Sequence, residues 1–163
     1  MANIQTITLG GGCFWCLEAV YEQVDGVTAV ESGYSNGHVM NPSYEQVCGG
    51  DTGHVEVVKV SFDAERITLR EVLEIFFHIH DPTTKNRQGN DIGTQYRSAI
   101  FFASEAQKAE AEKAVKRAQE SGRWKRPIVT EITPAGAFWP AETYHQDYLE
   151  RNPNGYTCHF LRD

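Results

Sequence analysis

The chain has no basic run. Its 15 lysines and arginines stand against 22 acidic residues, a net charge of −7, which argues against nucleic acid as a partner. No apolar stretch is long enough to span a bilayer. The first residues, Met1-Ala2-Asn3-Ile4-Gln5-Thr6, lack the basic and apolar regions of a secretory leader, so the expected compartment is the cytosol. Only four cysteines occur. In a reducing compartment they read as reduced, catalytic or metal-binding thiols and not as a disulfide framework. There is no internal repeat and no low-complexity segment. The glycines at 10–12 lack the lysine of a phosphate-binding loop, and their spacing fails the dinucleotide fingerprint. What remains is 163 residues with 40% apolar side chains, enough for one well-filled core, and the whole chain, 1–163, is expected to form one domain.

Periodicity predicts a strand over 4–9, a helix from about 13 to 24 with Phe14, Leu17, Val20, Tyr21 and Val24 at helical spacing, and a strand over 27–34. A long loop rich in turn residues follows, to about 51. A strand over 54–62 places His54, Glu56, Val58, Val60 and Phe62 on one face. Thr68-Leu69-Arg70-Glu71 is a capping box opening a second long helix, which Asp81-Pro82 stops. After a polar loop over 83–94 come a strand over 95–103, an alanine-rich helix from a second capping box at Ser104 to Gly122, and a strand over 128–133. Residues 134–163 read mainly as coil, with a short helical turn near 144–150. The order β-α-β-β-α-β, then α-β, gives an α+β fold: a two-layer sandwich of helices on a mixed sheet with a ferredoxin-like core.

The richest stretch is Gly10-Gly11-Gly12-Cys13-Phe14-Trp15-Cys16. A strand runs into three glycines and a helix begins at or just after Cys13. Free N–H groups and a partial positive charge at a helix start favour thiolate, the nucleophilic form. The alternative for Cys13 is a small buried hydrophobe. Cys13 and Cys16 form C-x-x-C, a spacing used by dithiol redox centres, half zinc sites and haem attachment. Leu17 stands where haem attachment needs histidine, and no second ligand pair at close spacing completes a zinc site, although Cys48, Cys158, His54, His145 and His159 are present. The dithiol reading stays open.

Glu56 lies in line with the apolar residues of its strand. Desolvation there pushes a carboxyl group towards its protonated form and fits it to be a general acid; at the strand's end it can equally reach water. Tyr34 and Tyr96 end strands beside glycine-rich loops, and Asp91 lies in a turn-like Asn90-Asp91-Ile92-Gly93. Each alone reads as packing or turn chemistry. His54 reads as a loop or supporting histidine and Cys48 as structural. Cys158, after Asn152-Pro153-Asn154-Gly155, sits on a tail able to carry a thiol to another sulfur. A nucleophilic sulfur, a protonated carboxyl group, hydroxyl donors, aromatic rings and a second thiol suit a substrate whose oxygen must be protonated, in a reaction that leaves Cys13 oxidised.

Several motifs resemble the peptide methionine sulfoxide reductase A family. They are Gly12-Cys13-Phe14-Trp15, Gly33-Tyr34, Tyr44-Glu45-Gln46-Val47-Cys48, Gly53-His54-Val55-Glu56, Asn90 to Ser98, and His145-Gln146-Asp147-Tyr148-Leu149 with Asn152-Pro153. They run through nearly the whole chain in the family's order. The resemblance implies reduction of methionine-S-sulfoxide, free or in oxidised proteins, to methionine. Cys13 would attack the sulfoxide sulfur and become a sulfenic acid; Glu56 would protonate the oxygen, Tyr34 and Tyr96 would hold it, and Asp91 would order the polar site. Phe14 and Trp15 would receive the S-methyl group. A resolving cysteine would then form a disulfide with Cys13, for thioredoxin to reduce. Position 16 is often glycine in the family, and many members carry cysteine directly after the tail tyrosine, where this chain reads Tyr156-Thr157-Cys158. Cys158 is favoured for resolution, with Cys16 as the rival. No metal or bound cofactor is implied, and a monomer is expected. The runner-up is a thioredoxin-like dithiol–disulfide enzyme using Cys13 and Cys16.

Overall fold

The computed structural model describes residues 3–12, 14–37, 42–48, 52–84, 86–88, 91–122, 124, 126–136 and 138–142, for 16, 45, 48, 87, 88, 91, 92 and 94 as backbone only. Strand β1, Ile4–Gly10, lies antiparallel to the later strand Val55–Asp63, with Ile7 opposite Val60 and Leu9 opposite Val58. This alternation puts one apolar row on one face of the sheet. Helix α1, Phe14–Glu22, crosses that face and buries Phe14, Leu17 and Tyr21. Gly26, at φ 97°, turns the chain into β2, Val27–Ser35. A Cβ there would lie 2.7 Å from Ile67, so the turn needs glycine on two counts.

A short helix α2, Tyr44–Cys48, interrupts the long loop before β3, Val55–Asp63. Helix α3, Leu69–Ile79, starts from the expected capping box: the Thr68 side chain accepts from Glu71 N while the Glu71 side chain accepts from Thr68 N. Its buried face is Val72, Leu73, Phe76, Phe77 and Ile79, each contributing on the order of 1.5–3 kcal/mol by leaving water. A two-residue ladder, β4 (Arg87–Gln88) with β5 (Asp91–Ile92), and a single 3-10 turn, Thr94–Tyr96, lead into β6, Ala99–Phe102. Helix α4, Glu105–Glu120, then carries the chain to β7, Glu131–Pro134, and β8, Phe138–Pro140, follows.

Among the described residues the main sheet runs β7-β6-β1-β3-β2-β8. Its middle four strands, β6-β1-β3-β2, are each antiparallel to their neighbours and have the split βαβ order expected from the sequence. β7 joins parallel to β6, as a helix crossover allows, and β8 joins antiparallel to β2. The helices share one face, where side chains of α1, α3 and α4 meet Ile7, Leu9, Tyr34, Val58, Val60, Phe62 and Ile100. A small second cluster, Val55, Val57, Ala99 and Phe101 with Phe138, covers part of the other face.

The structure corrects several boundaries. The strand expected over 95–103 begins only at Ala99, because Gly93 at φ 148° leads into the 3-10 turn. The strand expected over 128–133 begins at Glu131, since Ile128 N is taken by Gln119 Oε1 of α4 and not by the sheet. The second capping box is half formed. Ser104 accepts from Gln107 N, but the Gln107 side chain reaches Ala103 N and Thr6 O instead of Ser104 N. The segment read as coil from 134 contributes β8, drawn straight by the free edge of β2. The helical turn near 144–150 and the tail lie outside the described residues. No described helix is long and apolar enough to cross a membrane.

Candidate active site

β1 delivers the chain to the three glycines before Cys13. At Gly10 a Cβ would stand 2.6 Å from Val55, and Gly12 adopts φ 95°. Neither position tolerates another residue without movement. Gly11 rests on rings: its Cβ would lie 3.1 Å from the His80 imidazole and 3.2 Å from Phe76. His80 is wholly buried and bonded on both nitrogens. Nδ1 faces the Phe76 carbonyl, which can only accept, so Nδ1 carries a proton, and in the neutral ring Nε2 then accepts from Ser98 Oγ at 2.8 Å. Ser98 in turn meets Thr130 Oγ1 at 2.8 Å. Cys13 itself lies outside the described residues.

Across the core face, β3, β2 and β8 align one row: Glu56 opposite Tyr34, and Tyr34 opposite Trp139. Glu56 is 1% exposed and Tyr34 wholly buried. The reading of Glu56 as an inward-facing carboxyl group therefore holds over the reading that it reaches water. Its Oε1 accepts from Phe14 N at 3.3 Å, the amide of the residue following Cys13. The carboxyl group is thus fixed at the head of α1.

Aromatic rings close the other side. Phe14 lies 5.6 Å from Tyr34 and 6.2 Å from Tyr44, and Trp15 stacks on Tyr44 at 6.3 Å. Tyr44, Trp139 and Glu142 belong to this site, and none was singled out from the sequence for a role. Glu142 Oε1 accepts from the Tyr34 hydroxyl at 2.9 Å and Oε2 from Tyr44 N at 3.1 Å. Ser43-Tyr44-Glu45-Gln46 carries the one local signal that would have revealed α2: Ser43 Oγ accepts from Gln46 N, and Gln46 Oε1 from Ser43 N.

Tyr96 closes the 3-10 turn, which packs against β3. Its neighbour Arg97 fixes that turn, reaching the Gly53 carbonyl at 3.3 Å and the Glu131 carboxylate at 3.4 Å. Asp91 lies on β5 opposite Gln88, but its side chain lies outside the described set, as does that of Cys16. Cys158 lies outside it entirely. His54, buried, accepts from Gly37 N at 3.0 Å on Nδ1 and donates its own amide to Thr52 Oγ1, the supporting part expected of it. Among the described residues no three of His, Cys, Asp and Glu gather as metal ligands would.

Residues 5–163 match the model of a family described as peptide methionine sulfoxide reductase. A peptide methionine sulfoxide reductase MsrA from Acinetobacter baumannii (strain AYE) is 52% identical over 157 residues, covering 96% of this chain and 89% of its own. The fold superposes on reduced Mxr1 from Saccharomyces cerevisiae with a TM-score of 0.93 at 45% identity, over 98% of this chain and 93% of that one. Mxr1 in complex with Trx2 superposes with a TM-score of 0.67 at 30% identity, over 98% and 91% of the two chains. The glycine turn before Cys13, the buried carboxyl group beside it and the aromatic wall thus sit in a chain that belongs to the peptide methionine sulfoxide reductase family.

Proposed function

We propose that the protein reduces methionine-S-sulfoxide, free or in oxidised proteins, to methionine, in the cytosol and as a monomer. One observation carries the assignment of the acid. Glu56 is buried in the row beneath Tyr34 and bonded to the amide next to Cys13. Burial disfavours the charged carboxylate, so this group is suited to hold a proton and release it to an oxygen bound beside the thiol.

The Cys13 thiolate attacks the sulfoxide sulfur while Glu56 protonates the oxygen, with Tyr34 and Tyr96 as its other hydrogen-bonding partners and Asp91 ordering the polar surroundings. The attack joins the Cys13 sulfur to the substrate sulfur; that S–S bond and the substrate's S–O bond then break as the protonated oxygen passes to Cys13, leaving a sulfenic acid. The substrate sulfur gains two electrons, Cys13 loses two, and methionine leaves. Phe14 and Trp15, with Tyr44 behind them, offer an apolar seat for the S-methyl group. Cys158, or alternatively Cys16, then condenses with the sulfenic acid, releasing water and leaving a disulfide. A thioredoxin dithiol reopens that disulfide; the relative solved in complex with Trx2 supports this partner. The rival dithiol reading of Cys13 and Cys16 would need a thioredoxin fold, and the strand order β7-β6-β1-β3-β2-β8 speaks against it.

The test is a thiol count after excess methionine-S-sulfoxide without reductant, together with disulfide mapping by mass spectrometry. Methionine formation with loss of two thiols and a Cys13–Cys158 bridge is expected. A Cys13–Cys16 bridge moves the resolving role, and no methionine with no thiol loss overturns the assignment. Catalysed reduction of insulin disulfides without sulfoxide reduction would support the dithiol reading instead.

A further inference from the structure

Four rings form the aromatic wall, and one carboxylate outside the proposed chemistry joins two of them. Glu142 lies two residues beyond the end of β8. The chain is pinned there by Ala141 N, which donates to Ser32 O at 2.9 Å on β2. From that fixed point the two carboxylate oxygens divide their work. Oε1 takes the hydrogen of the Tyr34 hydroxyl at 2.9 Å, and Oε2 takes the Tyr44 amide at 3.1 Å. Each of those donors needs an acceptor. The Tyr34 ring is wholly buried, and a buried phenol seeks a hydrogen-bond partner. Tyr44 opens α2, where the first amides of a helix have no partner within it. The two rings so held are the ones Phe14 packs between, at 5.6 Å and 6.2 Å, and Tyr44 is the one Trp15 stacks on.

We infer that Glu142 is a positioning residue of the active site: through the Tyr34 hydroxyl and the Tyr44 amide it sets the wall against which the sulfoxide side chain binds. The inference rests on the proposed reaction for its kinetic consequence, though not for its geometric one. A phenol has one hydrogen; without substrate it goes to Glu142, and it must turn from there to a bound sulfoxide oxygen to hold it. Glu142 therefore also fixes which way the Tyr34 hydroxyl faces before substrate binds. Glutamine at 142 keeps the size of the side chain but loses the charge and one of the two acceptors. Its N–H2 would face a donor.

The experiment compares Glu142→Gln, Tyr34→Phe and the double variant with the wild-type protein. It measures kcat and KM for methionine-S-sulfoxide, with near-ultraviolet circular dichroism for aromatic packing and far-ultraviolet dichroism for the fold. Glu142→Gln should lower kcat/KM about tenfold, as loss of one charge-assisted hydrogen bond would. In the Tyr34→Phe background the same change should matter less, by about threefold at most, because part of what it acts on is already gone. The near-ultraviolet spectrum should change while the far-ultraviolet one does not. Equal losses in both backgrounds, or none in either, overturn the inference. If Glu142→Gln fails to fold, Glu142→Asp replaces it under the same criteria. If the wild type reduces no sulfoxide, the reaction is wrongly assigned, and Glu142 is judged on the spectrum alone: an unchanged near-ultraviolet signal then overturns its positioning role.

Discussion

Glu56→Gln separates the chemical role of this residue from its structural one. Glu56 is 1% exposed and gives one oxygen to Phe14 N at 3.3 Å. Glutamine has nearly the same shape and retains an oxygen for that amide, so the head of α1 stays anchored. What disappears is a transferable proton. Losing a general acid slows a reaction by roughly 10²–10⁴, or about 2.7–5.4 kcal/mol at about 1.36 kcal/mol per tenfold. A neutral hydrogen bond disturbed by the exchange is worth only about 0.5–1.5 kcal/mol, which corresponds to no more than about a tenfold change. The two effects are therefore resolvable. The assay is a rapid-quench single turnover with methionine-S-sulfoxide and pre-reduced protein, quantifying methionine, so that neither disulfide formation nor thioredoxin enters the rate. Alkylation of Cys13 in parallel checks that the thiol remains competent. A single-turnover rate within a few-fold of wild type would remove Glu56 as the proton donor.

Tyr21 is buried and donates its hydroxyl to the Val72 carbonyl at 2.9 Å, and burial pushes its phenol well above 10.0. The unfolded chain gives up this proton near pH 10.0 while the folded chain keeps it. The stability it contributes is thus complete below that pH and is lost as pH rises beyond it. Tyr21→Phe should flatten this alkaline loss and cost about 0.5–1.5 kcal/mol at neutral pH, where the carbonyl loses its donor; urea midpoints at neutral and strongly alkaline pH read both effects. At Gly33, an added Cβ would stand 2.4 Å from the Phe138 ring and 2.6 Å from the Trp139 carbonyl. Gly33→Ala should displace β8, destabilise the protein by about 1–3 kcal/mol and speed hydrogen exchange at β8, whereas an unchanged exchange pattern would refute the close approach. Thr68→Ala, which removes one half of the α3 capping box, should cost about 0.5–2 kcal/mol in thermal or urea unfolding without altering turnover.

The parts of this protein written in local pattern were legible from the sequence. Glu56 stood out because a carboxyl group broke a period-two apolar row, and the row is real: Val58, Val60 and Phe62 are all buried beside it. The Thr68 box needed only four consecutive residues. The parts assembled at long range were not legible. Tyr34 and Glu142 are 108 positions apart, and Tyr44 and Glu142 are 98 apart, so no window of sequence contains the contact. β8 is three residues long and ends in Pro140. Its strand character comes from the vacant edge of β2, where a proline at the margin is tolerated, and not from its own propensity. Ser43 and Gln46 did carry a readable cap, but the surrounding turn residues masked a helix of five residues.

The order of the sheet has a consequence for how the site moves. β1, which leads to Cys13, lies inside the sheet and is hydrogen-bonded on both sides, to β3 and β6. β8, which carries Trp139 and leads to Glu142, is a three-residue margin among the described residues. Opening free energies in a folded protein rise from nearly zero at such margins to the full stability at its centre. The end of β1 is therefore the anvil of the cleft, and the β8 margin with Trp139 is its jaw.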